Sequence, residues 1–191
     1  QAEVRIGDRS ETGELLFTDY GISGPPVFSL SSYLGNNKEV IIDLMPEYTR
    51  EKVYDIICER CAYLYDVPLE DFFVGMINKR VGQAVLKNVG IAPLSRLSGT
   101  LSDKEIKSLV EAIKSLRLII TGTASWNNAQ VTKGGASVKE FNSVTMESEL
   151  TEGLYACGEI LDVDGDCGGY NLQWAWSSGY LAGLNASRED K

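Results

Sequence analysis

The residues with the most chemical potential lie together between Leu154 and Gly183, in the run LYACGEILDVDGDCGGYNLQWAWSSGYLAG. Gly158, Gly165, Gly168 and Gly169 are interleaved with Glu159, Asp162, Asp164 and Asp166, and an uncharged segment with two tryptophans follows. A short strand, a glycine-rich loop and a helix N-terminus together make a concavity suited to anions. Free backbone N–H groups point outward there, and the helix dipole adds partial positive charge. Glycines also let another molecule come close to the backbone. The same residues describe a tight turn with a glycine-rich cap, so the loop by itself leaves both readings open. The acids are solvated loop charges by default. One or two of them could instead accept hydrogen bonds from sugar-type hydroxyls, a common duty of carboxylates in nucleotide sites.

Spacing removes several sharper readings. Asp162-Val163-Asp164-Gly165-Asp166 begins like a calcium loop. Its sixth position, however, is Cys167 where glycine is needed, and its twelfth is Gln173 where a bidentate glutamate is needed. There is no GxGxxG and no GxxxxGK[ST], so a bound dinucleotide would need its pyrophosphate held by residues outside this chain. The chain has no histidine, which removes Ser-His-Asp and Cys-His catalysis built from these residues alone. Cys58 and Cys61 form a CxxC inside a helical pattern, and Cys157 and Cys167 supply no second pair. They read as small hydrophobes in a reducing compartment, and no metal site is expected.

The elements that must carry this loop follow from hydrophobic period. Residues 1–45 read as strands and turns, with GELLFT (13–18) and KEVIIDL (38–44) as β-leaning runs. Between them, 21–34 reads as a Gly-Pro turn into a short helix capped by Ser23 or Gly24. Residues 46–116 read as helical. Val53, Ile56, Ile57, Cys61 and Leu64 form one stripe, ended by Val67-Pro68. Residues 69–90 read as one or two shorter helices broken near Gly75 or Gly82. Ser102-Asp103-Lys104-Glu105 is a capping box leading into Ile106, Leu109, Val110, Ile113 and Leu116. RLIITGTA (117–124) and AQVT (129–132) return to strand pattern, so the helical block is an excursion between β segments that share a sheet or barrel. Leu154–Cys157 reads as a short buried strand. A buried helix is expected from about Tyr170, with Ala175, Gly179 and Gly183 as a small-residue ridge.

Bulk properties bound the rest. The 191 residues carry a net charge of −9, with a pI near 4.6. That argues against nucleic-acid and anionic-membrane partners, which require clustered Lys and Arg. No apolar run approaches the roughly 20 residues of a membrane span, and no signal-peptide pattern opens the sequence. The chain begins at Gln1 and its first methionine is Met45, so a piece of a longer protein is expected.

Three blocks, in order, carry a family resemblance: GELLFTDYGISGPPVFSLSS (13–32), AQVTKGGASVKEFNSVTMES (129–148) and the GGYNLQWA-containing run above. Together they resemble the C-terminal portion of the HI0933-like family of bacterial FAD-dependent oxidoreductases. The resemblance covers most of the chain and is weakest over 46–116. It implies a mixed α/β fold. A β-barrel-like insertion would comprise 1–45 and 117–135, with a helical subdomain at 46–116. Residues 136–191 would return as the strand–loop–helix of a Rossmann-type FAD domain. The GxGxxG half would then lie outside this chain, and this chain alone would bind FAD weakly or not at all.

Residue by residue, the resemblance places Gly158 and Glu159 at the ribityl region; of the other loop acids, Asp162 is taken as the one that accepts from the cofactor's hydroxyls. It places Gly168, Gly169, Tyr170, Asn171 and Leu172 against the flavin ring. A helix N-terminus there would stabilise the negative charge that accumulates near flavin N1 and O2 on reduction. The resemblance also implies a cytoplasmic location, and as partners the N-terminal FAD-binding half, a small-molecule substrate and NAD(P)H. Many relatives carry histidine where this chain has Asp19, which leaves Asp19, Tyr20 or neither in that role and assigns no catalytic acid. The alternative is a stand-alone binding or interaction module that keeps the fold without the flavin.

Overall fold

The computed structural model describes residues 1–187, which fall into two compact units, residues 1–121 and 122–187. The first unit opens with a hairpin of β1 (Ala2–Ile6) and β2 (Arg9–Gly13), in which Ile6 faces Arg9 across a Gly7-Asp8 turn. Alternation fixes its faces. Ala2, Val4 and Ile6 are buried, while Glu3 and Arg5 share the outer face and pair at 3.1 Å. A second hairpin joins β3 (Leu16–Thr18) to β4 (Gly21–Ser23). It leads into α1 (Pro25–Ser31), capped by Gly24 with prolines in its first turn. Then come β5 (Glu39–Asp43), α2 (Arg50–Tyr63), α3 (Lys79–Asn88), α4 (Asp103–Lys114) and β6 (Leu116–Ile119).

The main sheet is antiparallel in the order β2-β1-β5-β6. Val4 stands opposite Ile42, and Val40 opposite Leu118, so the apolar positions of three strands share one face. That face and Leu30 of α1 form one core. The two β segments on either side of the helical block therefore meet, as β5 and β6. The expected barrel does not form. Among the described residues the sheet is open, with β2 and β6 as its edges, and β3–β4 stands apart as a two-stranded sheet. Four strands of four or five residues are too few and too short to tilt and close on themselves. Residues 129–132 are not a strand and belong to the second unit.

The helical block has its own larger core, built on Val53, Ile57, Leu69, Phe72, Phe73, Val85, Leu86, Leu109 and Ile113. The capping box forms as the sequence predicts. Glu105 N–H donates to the Ser102 hydroxyl, and Ser102 N–H donates to the Glu105 carboxylate at 2.8 Å. Arg96 then holds that carboxylate at 2.8 Å. This guanidinium, followed by the two Ser102 donors, brings the Glu105 pKa down to about 2. Only one helix forms within 69–90, because the Asn78 side chain caps a start at Lys79. Gly82 lies inside that helix rather than breaking it. A Cβ there would stand 2.6 Å from the Phe73 ring, so the position is small in order to admit the aromatic.

Lys114, the last residue of α4, ties the helices to the sheet. Its ammonium lies 2.6 Å from the Asp43 carboxylate at the end of β5 and also donates to the carbonyls of Met45 and Tyr48. Both side chains of the pair are almost wholly removed from solvent.

The second unit is built largely from turns and loops, with 3-10 turns at Trp126–Asn128, Val138–Glu140 and Gly158–Ile160, and it ends in α5 (Tyr170–Ala186). Its core is small: Met146, Leu161 and Ala182, flanked by Ala136, Phe141, Tyr155, Val163, Trp174 and Leu181. The expected strand at 154–157 reduces to one bridge, Glu147 to Tyr155, and Leu154 and Cys157 are exposed. The expected buried helix is also corrected. Only Ser178 and Ala182 of α5 are buried, while Trp176 is 67% and Tyr180 70% exposed. So small a core covers one ridge of a five-turn helix and no more.

Candidate functional site

The helix that closes the second unit starts where the glycine pair permits it. Gly169 takes the N-cap position in the left-handed region (φ +97°), and Gly168 before it has φ +131°. No side chain caps the helix, and a Cβ on Gly169 would meet nothing within 4 Å. The first-turn N–H groups of α5 thus lack a side-chain cap, and the backbone at Gly169 faces open space. Tyr170 and Leu172 are exposed beside it. Asn171 is half-buried and shapes the loop. Its Nδ2 donates to the Gly165 carbonyl at 3.1 Å, and its Oδ1 accepts the Gly165 N–H at 2.8 Å. This pair of bonds closes the turn from Gly165 into the helix.

Gly158, followed by Glu159, lies against the middle of α5. Gly158 is buried, in the left-handed region, and opens the 3-10 turn Gly158–Ile160. Its N–H donates to the Ser178 hydroxyl at 2.9 Å, and its carbonyl accepts the Trp174 indole N–H at 3.1 Å. Of the small-residue ridge, Ala175 and Gly179 lie against this segment. A Cβ on Gly158 would come to 3.7 Å from Ala175, and one on Gly179 to 3.9 Å from Cys157 Sγ. Gly183 meets nothing.

Glu159 is exposed, and its carboxylate accepts the Thr132 N–H. That bond belongs to a junction the sequence did not announce. Residues 132–136 run alongside 159–164, in a parallel bridge between Ala136 and Leu161. Ala136 N–H donates to Ile160 at 2.8 Å, and Asp162 N–H donates to Ala136 at 2.9 Å. Lys133 lies 3.8 Å from Asp164. Asp162 and Asp164 therefore keep exposed carboxylates on a segment whose backbone is fixed.

The sequence reading missed Trp174 and Ser178 as partners of Gly158, and it missed Thr132 and Lys133. The signal for Ser178 was present: a hydroxyl between Ala175 and Ala182 on the small-residue side of an apolar helix. For Thr132 there was none, because the contact joins segments 27 residues apart.

The remaining candidates behave otherwise. Asp19 and Tyr20 are presented outward at the β3–β4 turn, which the Thr18 hydroxyl closes on the Gly21 carbonyl at 2.9 Å. All four cysteines are free thiols. Cys58 and Cys61 are half-buried against the helical core, where burial, then the adjacent Cys58, pushes the Cys61 thiol up to about 11. A thiol so rarely ionised at neutral pH is a poor nucleophile or metal ligand. Among the described residues no group of three or more Cys, Asp or Glu is placed to hold a metal ion. No helix among them is long and apolar enough to cross a membrane.

Comparison with known proteins gives the family. The chain is 37% identical over 191 residues to a 3-dehydro-bile acid delta(4,6)-reductase of Clostridium scindens, covering 93% of this chain and 44% of that protein. It is 36% identical over 186 residues to a ribosomal RNA dihydrouridine synthase of Haemophilus influenzae, covering 95% of this chain and 44% of that protein. A ribosomal RNA dihydrouridine synthase of Escherichia coli is 36% identical over 166 residues, covering 87% of this chain and 40% of that protein. The chain thus spans less than half the length of these relatives. The model of the HI0933-like protein Rossmann domain matches residues 14–185, which takes in all but the first residue of the three sequence blocks, the 132–136 junction and all but the last residue of α5. The chain belongs to the HI0933-like family of Rossmann-domain proteins.

Proposed function

We propose that this chain is the C-terminal part of an FAD-dependent oxidoreductase and supplies the flavin-ring and ribityl side of its cofactor site. The observation that carries the reading is the uncapped start of α5 behind Gly168 and Gly169, with open space where a Gly169 side chain would stand. These residues fit the cofactor: a flat ring needs a wall without side chains, and its polyol needs exposed carboxylates close by. Gly168, Gly169, Tyr170, Asn171 and Leu172 would line the ring, and Gly158, Glu159 and Asp162 the polyol.

When bound, the flavin supplies the hydride chemistry, and the protein supplies placement and electrostatics. The first-turn N–H groups of α5 favour negative charge beside them. The Asn171–Gly165 bonds fix the approach to that turn. The exposed apolar face of α5, with Trp176 and Tyr180, is a surface for the family's remaining Rossmann half.

The relatives' names divide between a bile acid and ribosomal RNA as substrate. We favour a small molecule reduced at the expense of NAD(P)H. Residues 122–187 hold two lysines, Lys133 and Lys139, against eight carboxylates, and a phosphate backbone would be repelled from such a surface.

The test is to purify the longer gene product that contains this segment, release its cofactor by denaturation and identify it by chromatography. FAD at one per chain is expected. Gly169→Val should yield a folded, colourless protein, while the isolated 191-residue chain should bind FAD weakly. A colourless wild type, or a fully loaded Gly169→Val, would refute the reading. Tight, saturable binding of ribosomal RNA by the protein would transfer the substrate assignment to nucleic acid.

A further inference from the structure

Ser178 is polar and wholly buried in an uncharged helix, and its two short hydrogen bonds join Trp174 to Gly158, with a longer one of 3.4 Å to the Ala175 carbonyl. Its hydroxyl donates to the Trp174 carbonyl at 2.6 Å, the normal i−4 partner in a helix, and so turns its lone pair toward Gly158. The Gly158 N–H fills that lone pair at 2.9 Å. The indole of Trp174 then donates to the Gly158 carbonyl at 3.1 Å. Two side chains one turn apart on α5 therefore hold both polar groups of a single glycine. That glycine sits in the left-handed region and launches the turn whose next residue is Glu159.

A backbone held at both N–H and C=O has little freedom to rotate. The direction in which Glu159 leaves the backbone is thus set from α5, while the Thr132 N–H holds one oxygen of its carboxylate at the far end. The opposite end of the same helix stretch begins at Gly169, so one rigid element fixes both walls of the proposed site.

We infer that Trp174 and Ser178 are positioning residues for Glu159, aligning its carboxylate with the hydroxyls of the cofactor's polyol. The inference rests on the proposed FAD reading and adds to it two residues that do not touch the cofactor.

The test is a double-mutant cycle on the longer flavoprotein, read as the FAD dissociation constant by quenching of flavin fluorescence on reconstitution of apoprotein. Losing a hydrogen bond to a charged group weakens binding by about tenfold or more, and this is expected for Glu159→Gln. Ser178→Ala should weaken binding by a similar factor in the wild-type background. In the Glu159→Gln background it should change binding by less than about twofold, because nothing remains to position; contacting groups are non-additive in this way.

A general loosening of the fold would instead multiply the two effects, and that result overturns the inference. So does a Ser178→Ala protein with wild-type affinity. Glu159→Gln binding FAD as tightly as wild type overturns it while leaving the Gly169 wall intact, whereas a wild type without FAD overturns the parent reading as well. If Ser178→Ala fails to fold, Trp174→Phe carries the same cycle, since it removes the indole donor to Gly158 and keeps an aromatic side chain.

Discussion

Replacing Gly135 with alanine should unlock the junction between the 132–136 and 159–164 segments. A Cβ at this position would stand 2.5 Å from the Ile160 carbonyl oxygen, 2.9 Å from Leu161 C and 3.0 Å from Asp162 N. All three are backbone atoms, so no side chain can swing aside. The two segments must part, which stretches the Ala136–Ile160 and Asp162–Ala136 bonds and the Thr132–Glu159 contact beyond them. Two backbone hydrogen bonds at about 1 kcal/mol each, with about 1–2 kcal/mol of overpacking, give a loss near 3 kcal/mol.

Gly134→Ala is the control. Gly134 has φ +96°, but a Cβ there meets nothing within 4 Å, so only the left-handed strain of about 1–2 kcal/mol applies. Urea unfolding followed by tryptophan fluorescence reads this unit selectively, because all three tryptophans (Trp126, Trp174 and Trp176) lie within it. With a urea dependence of roughly 1.5 kcal/mol per molar, the Gly135→Ala midpoint should fall by about 2 M, well below that of Gly134→Ala. Equal midpoints for the two variants would show that the close approach does not exist and that the motif glycines serve turn geometry alone.

Two further outcomes concern the first unit. Lys114→Met should destabilise it by about 3–5 kcal/mol in urea unfolding followed by far-UV circular dichroism, because the Asp43 carboxylate is left buried without its cation; a loss under about 1 kcal/mol would mean that water replaces the ammonium. The Glu105 carboxyl is held at about 2 when folded, below its ordinary value of 4.5. Its contribution is therefore complete above about pH 4.5 and disappears as pH falls toward 2. Glu105→Gln should then be less stable than wild type by about 1 kcal/mol at pH 6 and converge on it as pH falls through about 2, and a pH-independent difference would remove the charge from the explanation.

How much of this was legible in the sequence depended on the range of the interaction. The capping box at Ser102 and Glu105 is settled within one helical turn, and α4 begins where those residues say it does. The start of α5 at Tyr170 was equally local, because Gly168-Gly169 followed by an uncharged run leaves few other places for a helix to begin. The three family blocks were visible as strings before any fold was known, and the family follows from them. The pairing of β5 with β6 could be anticipated from two β-leaning segments flanking a helical one, since each exposes half its hydrogen bonds until it finds a neighbour.

What tertiary structure decided was everything that depends on which segments meet. Whether the strands close into a barrel depends on tilt and strand number, and the sheet stays open. The sequence of α5 is uncharged along its whole length and reads as a buried helix. Only the small core of residues 122–187 shows that a single ridge is covered and that Trp176 and Tyr180 face out. Lys114 reads as one more charge at the end of a helix until Asp43 and the Met45 carbonyl, 69 residues away, close around it. Ser178 likewise carries no mark of its task until Gly158, 20 residues before it, donates to its hydroxyl. Period, caps and turns are written locally because backbone hydrogen bonds within an element span four residues or fewer. The partners of a buried polar group are chosen by packing, and packing belongs to the folded chain as a whole.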